Sequence, residues 1–330
     1  MALSVAMKGF AGAFGALVLL AQAPAASAAT AAPGEGQLVT LGTMGGPVPD
    51  GRRSQPANAV VLQGKVYLVD AGDGTAGQLV RAGLQLAQVR AVFLSHLHVD
   101  HAGGLGAIIG LRMQTTVREP LRIYGPPGTQ ALVEGIVASL QPAAKAGYGI
   151  PGRRWAAPES LVAVTELKDG EAVAVDAMTV KAVQNTHYDY APGSAEDLSF
   201  KSFSFRFDLP GRSVVYTGDT GPSGAVEQLA KGADLLVSEL IDLDGTLARI
   251  ARVNPSMPAD VRSGMVQHLS THHLTAAEVG RLAARAGVKA LVVTHLAGGL
   301  DRPEELRRNL DGIRQHYSGP VTIAEDLDRF

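Results

Sequence analysis

Short runs of aliphatic and β-branched residues recur along the chain, and each run ends in a turn signal. Residues 60–62 and 66–69 flank Gln63-Gly64-Lys65, a pattern that predicts a β-hairpin. Residues 89–94 predict a buried strand, and residues 203–207 alternate with period two, which predicts a strand with one buried face. Further strands are predicted over residues 121–124, 178–183, 213–216, 235–237, 290–293 and 321–324.

Helical patterns lie between these strands. Apolar residues spaced by three and four predict a helix over residues 129–140. Thr275-Ala276-Ala277-Glu278 forms a capping box, so we expect a helix to start there and to end near Gly287. Pro303-Glu304-Glu305 opens a final helix, with acidic residues suited to the positive end of its dipole. Residues 138–158 are rich in glycine, proline and arginine, which predicts a surface loop. Residues 242–271 are predicted to form an insertion that is partly helical.

The first 28 residues predict a secretory signal peptide. Lys8 is followed by an uncharged stretch over residues 9–21, and Ala26-Ser27-Ala28 offers the small residues that signal peptidase requires. The apolar stretch is shorter than the ~20 residues of a membrane-spanning helix, so we expect no stable membrane anchor. The sequence therefore predicts a periplasmic or secreted protein whose mature part, residues 29–330, forms one hydrolase domain.

Composition narrows the chemistry. The 330-residue chain is 46% hydrophobic and 18% charged, which excludes a disordered protein. Its 29 basic and 31 acidic residues give a net charge of −2, and from this balance we expect no dedicated grip on nucleic acid. The absence of cysteine excludes disulfides, iron–sulfur clusters, thiolate metal sites and a cysteine nucleophile. Nine histidines are therefore the main candidates for chemistry.

Four possible metal ligands stand within six residues, directly after the predicted strand over residues 89–94. Imidazole and carboxylate groups are ligands that zinc, manganese and iron accept. One metal ion cannot easily use all four side chains, but two adjacent ions can. The alternative is a histidine-rich turn without function. The four residues are His96, His98, Asp100 and His101.

Three more candidates, His187, Asp219 and His295, each follow an apolar strand. A single histidine at a strand end is usually a surface or core residue. Here the position repeats, and the residue types complete a set for two metals. Two metals about 3.5–4 Å apart need a bridging carboxylate and a bridging water, and Asp219 can supply the carboxylate.

With these residues in place, the sequence resembles the metallo-β-lactamase superfamily, whose signature H-x-H-x-D-H stands at residues 96–101. The resemblance implies an α+β fold, a four-layer αββα sandwich with the metals at one edge of two sheets. Asp70 matches a position that supports the metal ligands, although a simple turn aspartate is the alternative reading. The resemblance also implies two ligand sets and a bridge: His96, His98 and His187; Asp100, His101 and His295; and Asp219.

Other segments resemble the ribonuclease Z-like branch of that superfamily, which includes phosphodiesterases and arylsulfatases. They are Leu41-Gly42-Thr43, Asp73-Gly74-Thr75, residues 124–129 and His273-Leu274-Thr275. In that branch a histidine lies beside the leaving group. It matches His273 here, with His272 as a competing candidate.

The chain departs from the branch at two places. His187 and Asp219 are only 32 positions apart, too short for the long basic arm of members that process tRNA. Ser238-Glu239-Leu240-Ile241 stands where the branch has His-Glu-Ala-Thr. With a signal peptide and a net negative charge as well, we do not expect tRNA processing.

We therefore predict an exported hydrolase with two divalent metal ions, zinc as the first choice and manganese or iron as alternatives. A hydroxide shared by the metals would attack a phosphodiester or sulfate ester, with Asp100 and His273 as the catalytic residues. Hydrolysis of a lactone or other carbonyl ester, or a non-catalytic metal-binding domain, are the alternatives. We expect a small-molecule ester substrate, while the oligomeric state stays open. The pocket walls are predicted in three segments: residues 138–158, 188–201 and 242–271.

Overall fold

The computed structural model describes residues 36–330, apart from Asp50, Asp189, Gly299 and Asp301. The predicted signal peptide, residues 1–28, lies outside the described residues. Within the described part of the chain, no helix is long and apolar enough to cross a bilayer.

The described strands form two sheets, each numbered here in its spatial order. The first sheet contains β1 (Gln37–Gly42), β2 (Ala57–Leu62), β3 (Lys65–Val69), β4 (Val89–Phe93), β5 (Leu121–Gly125) and β6 (Val162–Glu166). The second sheet contains β7 (Ala172–Val175), β8 (Met178–Gln184), β9 (Phe203–Leu209), β10 (Arg212–Tyr216), β11 (Leu235–Ile241), β12 (Leu291–Ala297) and β13 (Val321–Ile323).

Both sheets change from antiparallel to parallel pairing along their width. In the first sheet, β1 to β3 pair antiparallel and β3 to β6 pair parallel. In the second, β7 to β10 pair antiparallel and β10 to β13 pair parallel. The carboxyl ends of neighbouring parallel strands meet at one edge, where side chains that follow different strands can converge.

Helices lie between the strands along the described chain. They are α1 (Thr75–Arg81), α2 (Val99–Ala102), α3 (Leu105–Gln114), α4 (Thr129–Ala146), α5 (Ala195–Ser199), α6 (Gly224–Ala230), α7 (Leu243–Val253), α8 (Ala259–Thr271), α9 (Ala276–Ala286) and α10 (Pro303–Arg314). Apolar residues of α1, α3 and α4 pack on the first sheet, and those of α6, α9 and α10 pack on the second. The predicted α+β fold with four αββα layers is therefore confirmed.

The core between the two sheets is aromatic. The Phe93 ring of β4 lies edge-on to Phe207 of β9, with ring centroids 5.3 Å apart, and stacks on Tyr124 of β5 at 4.9 Å. Beside this core, Asp176 in the turn between β7 and β8 ties the second sheet to the first. Its carboxylate accepts a hydrogen bond from the Tyr67 hydroxyl at 2.7 Å and pairs with Lys65 and Arg122, each at 3.1 Å.

Two helices match their predicted signals closely, and one predicted loop is partly wrong. Helix α9 begins after the Thr275 capping box and ends at Gly287, where φ is 63°, and α10 begins at Pro303. Helix α4, however, continues to Ala146 with Pro142 inside it, so residues 138–146 are helix rather than loop. Ala144 packs there in a small apolar cluster with Met113 and Leu161, a contact that composition does not reveal.

Candidate metal centre

The histidine motif is held by the end of β4 and the single turn of α2. The chain bends at Ser95 after β4, and the φ of −61° and ψ of 147° at His98 place this residue as the N-cap of α2. Asp100 and His101 thus lie on a helical turn. This turn packs closely on the loop after β3, because a Cβ on Gly104 would lie only 2.2 Å from the carbonyl oxygen of Gly72.

The second sheet contributes His187 after β8 and Asp219 after β10, as the sequence predicts. His295 differs, because β12 continues past it to Ala297. Pairing with β11 shifts register here, since Ser238 faces Val293 while Leu240 faces Leu296. This bulge redirects the side chain of His295, whose φ of 46° lies in the left-handed region that disfavours a residue with a Cβ.

All seven predicted ligand residues meet at this edge of the sandwich. Among the described residues, ligand atoms within 4.8 Å of one another form five sets of side chains. Three of these sets consist only of predicted ligands: His96, His98 and His187; Asp100, His101 and His295; and His96, His101 and Asp219. The first two sets are those that the resemblance implied. Asp219 lies next to both, with its Oδ1 3.4 Å from His101 Nε2 and 3.2 Å from His295 Nε2. Most of these side chains are buried, but His98 is exposed and marks the open side of the site.

The geometry fits metal ions. His98 Nδ1 lies 3.0 Å from His96 Nε2 and 3.3 Å from His187 Nε2. Nitrogens that share a tetrahedral zinc at about 2.0–2.1 Å are roughly 3.3 Å apart, so these spacings suit one ion. Among the described residues, the buried atoms Asp219 Oδ1, His101 Nε2 and both ring nitrogens of His295 have no hydrogen-bond partner. Leaving such atoms unpaired costs about 1–3 kcal/mol each, a cost that a bound cation would remove.

The charges at the site also suit a cation. Burial, followed by the charges of neighbouring imidazoles, lowers the pKa of His96 well below its ordinary value. Burial likewise lowers the pKa of His187. Both rings are therefore neutral near pH 7, the form that binds metal. The pKa of the Asp219 carboxyl is raised by burial, but nearby imidazoles, chiefly His295 and His101, outweigh burial and lower it.

Asp70 holds one ligand candidate in place. Its Oδ2 lies 2.9 Å from His101 Nδ1 and accepts a hydrogen bond from the Tyr216 hydroxyl at 2.8 Å, while its Oδ1 accepts one from the Ser95 amide at 2.7 Å. Because the carboxylate favours a proton on Nδ1, the Nε2 of His101 is the ring nitrogen directed to the cluster. The contact that the resemblance implied for Asp70 is thus present.

His273 lies beside the cluster and contacts a carboxylate that the sequence analysis missed. Its Nδ1 is 2.7 Å from Glu239 Oε2, and its ring centroid is 5.0 Å from that of His187. Burial raises the pKa of Glu239 to about 7. Burial lowers the pKa of His273, but the charge of Glu239 outweighs it and raises this pKa to about 9. The segment at 238–241 departs from the branch's His-Glu-Ala-Thr at three positions but retains its glutamate.

The competing residue, His272, points elsewhere. Its Nδ1 lies 2.6 Å from the carbonyl oxygen of Thr186, and its own carbonyl oxygen is 3.3 Å from His187 Nδ1. His272 therefore braces the loop behind His187, while His273 faces the cluster. A second residue absent from the predicted site is His268 on α8, which groups with His187 and His273 within 4.8 Å.

Comparison with known proteins decides the family. Residues 65–296 match the family model described as Beta-lactamase superfamily domain. Ribonuclease Z of Mycolicibacterium paratuberculosis is 32% identical over 294 residues, covering 88% of this chain and 96% of the relative. The chain belongs to the metallo-β-lactamase superfamily, in its ribonuclease Z-like branch. Ribonuclease Z of Mycobacterium sp. strain KMS is 33% identical to this ribonuclease Z-like hydrolase, over 88% of the chain and 94% of the relative.

Solved structures show the same fold. The metallo-β-lactamase fold protein YhfI from Bacillus subtilis aligns with a TM-score of 0.64 and 18% identity, covering 89% of this chain and 98% of that one. The short form of human tRNase Z aligns with a TM-score of 0.59 and 21% identity, covering 89% and 98%.

One expectation is corrected by these relatives. A small-molecule ester substrate and no grip on nucleic acid were expected for this ribonuclease Z-like hydrolase, but the relatives that match 88% of it are ribonucleases. The expectation rested on a net charge of −2, which averages over the whole surface. Contact with a nucleic acid depends instead on where charges and binding groups lie around the site. The assignment to the hydrolases of this fold is confirmed.

Proposed function

We propose that the protein is a metal-dependent phosphodiesterase that cleaves RNA. The observation that carries the proposal is the convergence of seven ligand candidates, six of them buried, beside the His273–Glu239 pair. Its support from comparison is the similarity to ribonuclease Z over 88% of the chain. The N-terminal signal pattern adds that the enzyme acts after export, in the periplasm or outside the cell.

The residues divide into two metal sites with zinc as the first choice and manganese or iron as alternatives: His96, His98 and His187 at one; Asp100, His101 and His295 at the other; and Asp219 between them. When bound, two divalent ions supply Lewis acidity that makes water a nucleophile near neutral pH and withdraws charge from a phosphoryl oxygen. Asp70 keeps His101 in the orientation that this site needs.

The catalytic assignments are Asp100 and His273. The Asp100 carboxylate is buried next to His101, with Oδ2 3.7 Å from Nε2, where it can accept a proton from an attacking water. His273, held through Nδ1 by Glu239, keeps Nε2 for donating a proton to the oxygen that leaves. Because the charge of Glu239 favours the imidazolium, His273 is protonated near neutral pH.

The proposal is tested with purified protein reconstituted in turn with zinc, manganese and iron. A short RNA and bis(p-nitrophenyl) phosphate should both be hydrolysed, and p-nitrophenyl sulfate should not. Asp219→Ala should abolish both activities, whereas Asp208→Ala, which removes an aspartate from the surface of β9, should preserve them. Faster turnover of the sulfate or of a lactone than of either phosphodiester would show that the proposal is wrong.

A further inference from the structure

Three aromatic side chains lead outward from the metal centre; we call them the aromatic strip, and they are Tyr188, Tyr190 and Phe200. The Tyr188 ring lies 5.1 Å from that of His187, the next pair of rings is 5.8 Å apart, and Tyr190 and Phe200 are 5.9 Å apart. Tyr190 is 40% exposed and Phe200 is 53% exposed. Contiguous exposed apolar surface often marks a binding site, and these rings contact one another and continue directly from a ligand candidate.

A cavity of about 260 Å³ opens between the aromatic strip and helix α8. The loop after β8 forms one wall, and α8 with the residue after it forms the other. The volume lies just below the range typical of pockets for drug-sized ligands, so it suits one ring system with its attached sugar. The lining combines aromatic rings with hydrogen-bonding groups: His187, Tyr188, Tyr190, Gly264, Gln267, His268 and His272.

The cavity lies on the His273 side of the metal centre. The ring of His268, which lines the cavity, is 5.4 Å from that of His273 and 5.0 Å from that of His187. In the proposed function, His273 donates its proton to the leaving oxygen. The part of the substrate that carries the leaving oxygen is therefore the part that lies next to the cavity.

We propose that this cavity binds the base of the nucleoside that carries the leaving oxygen, with Tyr190 as its stacking surface. The inference rests on the proposed function, because RNA is the substrate that brings a base to this position. Single-stranded RNA is commonly recognised by bases stacked on aromatic side chains, and stacking tolerates every base because each has a π-face. Gln267 and His268, on the opposite wall, supply groups that can hydrogen-bond to a base edge.

The test compares two dinucleotide phosphodiesters that differ only in the leaving nucleoside, which carries adenine in one and is abasic in the other. Tyr190→Ala should lower kcat/KM for the adenine substrate roughly 5- to 100-fold. The value of kcat/KM for the abasic substrate should not change. Tyr190→Phe should restore the wild-type value, because the ring is what stacks. Tyr148→Ala is the matched control, since this tyrosine is 62% exposed and packs on Trp155 outside the cavity.

Phe200→Ala provides a second variant, and it should give a smaller loss with the same dependence on the base. An equal loss on the adenine and abasic substrates would assign Tyr190 a structural role and overturn the inference. A loss confined to p-nitrophenyl leaving groups would assign the cavity to a non-nucleotide aryl ester and overturn it as well.

Binding without turnover separates this inference from the proposed function. Equilibrium dialysis of the metal-loaded protein should show that it binds adenosine more tightly than ribose. Tyr190→Ala should weaken the binding of adenosine. If the protein cleaves no RNA but still binds adenosine in this way, the proposed function fails while the base site stands. If RNA is cleaved and neither binding nor kcat/KM responds to Tyr190→Ala, the base site is wrong while the proposed function stands.

Discussion

Replacement of His273 by alanine should separate proton donation from metal binding. The imidazole lies beside the ligand cluster without being needed by either predicted metal site, and Glu239, 2.7 Å away, raises its pKa to about 9 against the effect of burial. It is therefore charged near neutral pH and able to supply a proton. General acid catalysis contributes about 10²–10⁴-fold, which corresponds to about 2.7–5.5 kcal/mol of transition-state stabilisation. We expect His273→Ala to lower kcat by that factor on RNA while both metals are retained.

The assay compares leaving groups of different basicity. A nitrophenolate departs without a proton, so the loss should be much smaller on bis(p-nitrophenyl) phosphate than on RNA. Glu239→Gln keeps a hydrogen bond but removes the charge that raises the pKa of His273. The alkaline limb of the kcat profile on RNA should then move to lower pH. Equal losses on both substrates with metals intact would refute the acid role, and a larger effect of His272→Ala would show that its neighbour is the acid.

Three further predictions concern the metals, the fold and the N-terminus. Elemental analysis after reconstitution should find about two ions per chain. Asp219→Ala should weaken metal binding at both sites, and His187→Ala mainly at one. A protein without bound metal would contradict the dinuclear site. Burial raises the pKa of Asp176, but hydrogen bonds from Tyr67 and Lys65 outweigh it and hold this pKa at about 2. Its carboxylate therefore stabilises the fold above about pH 4, and this contribution is lost as the pH falls towards 2. Asp176→Asn should lower Tm at pH 7, and the loss in free energy of unfolding should be at most about 1 kcal/mol at this partly exposed site. It should also make the stability of the protein less dependent on pH between about 4 and 2. An unchanged dependence would refute the role of Asp176. Mass spectrometry of the exported protein should find a mature N-terminus at or near residue 29, and a cytoplasmic protein that retains residue 1 would contradict the signal peptide.

The ligand candidates were predictable because their signals are local. Each follows an apolar run, and the strand before it explains why it reaches the common edge, except for His295, which lies inside β12. Glu239 was missed because it lies inside β11, opposite the bulge in β12, and not after the end of a strand. That bulge arises from register between strands far apart in sequence, and no local pattern encodes it.

The cavity beside the site could be predicted only in part. The loop after β8 and the insertion that carries α8 were predicted as pocket walls, and both line it. Residues 138–158, the third predicted wall, do not line this cavity, because much of that segment is helix α4 and packs on the first sheet. Tyr190 and His268 line the same cavity from segments that are far apart in sequence and share no motif, so neither residue carries a signal of its own.

The ligand candidates are divided between the two sheets, and this division links metal occupancy to folding. Residues 96–101 extend from the first sheet, while His187, Asp219 and His295 belong to the second. Metal ions held between them would act as cross-links across the sandwich, in parallel with its aromatic core. An ion at a free concentration 100 times its Kd adds about 2.7 kcal/mol to the free energy of unfolding. A chelator should therefore lower Tm as well as activity. The folded fraction of the protein then depends on the metal concentration in the compartment where it folds.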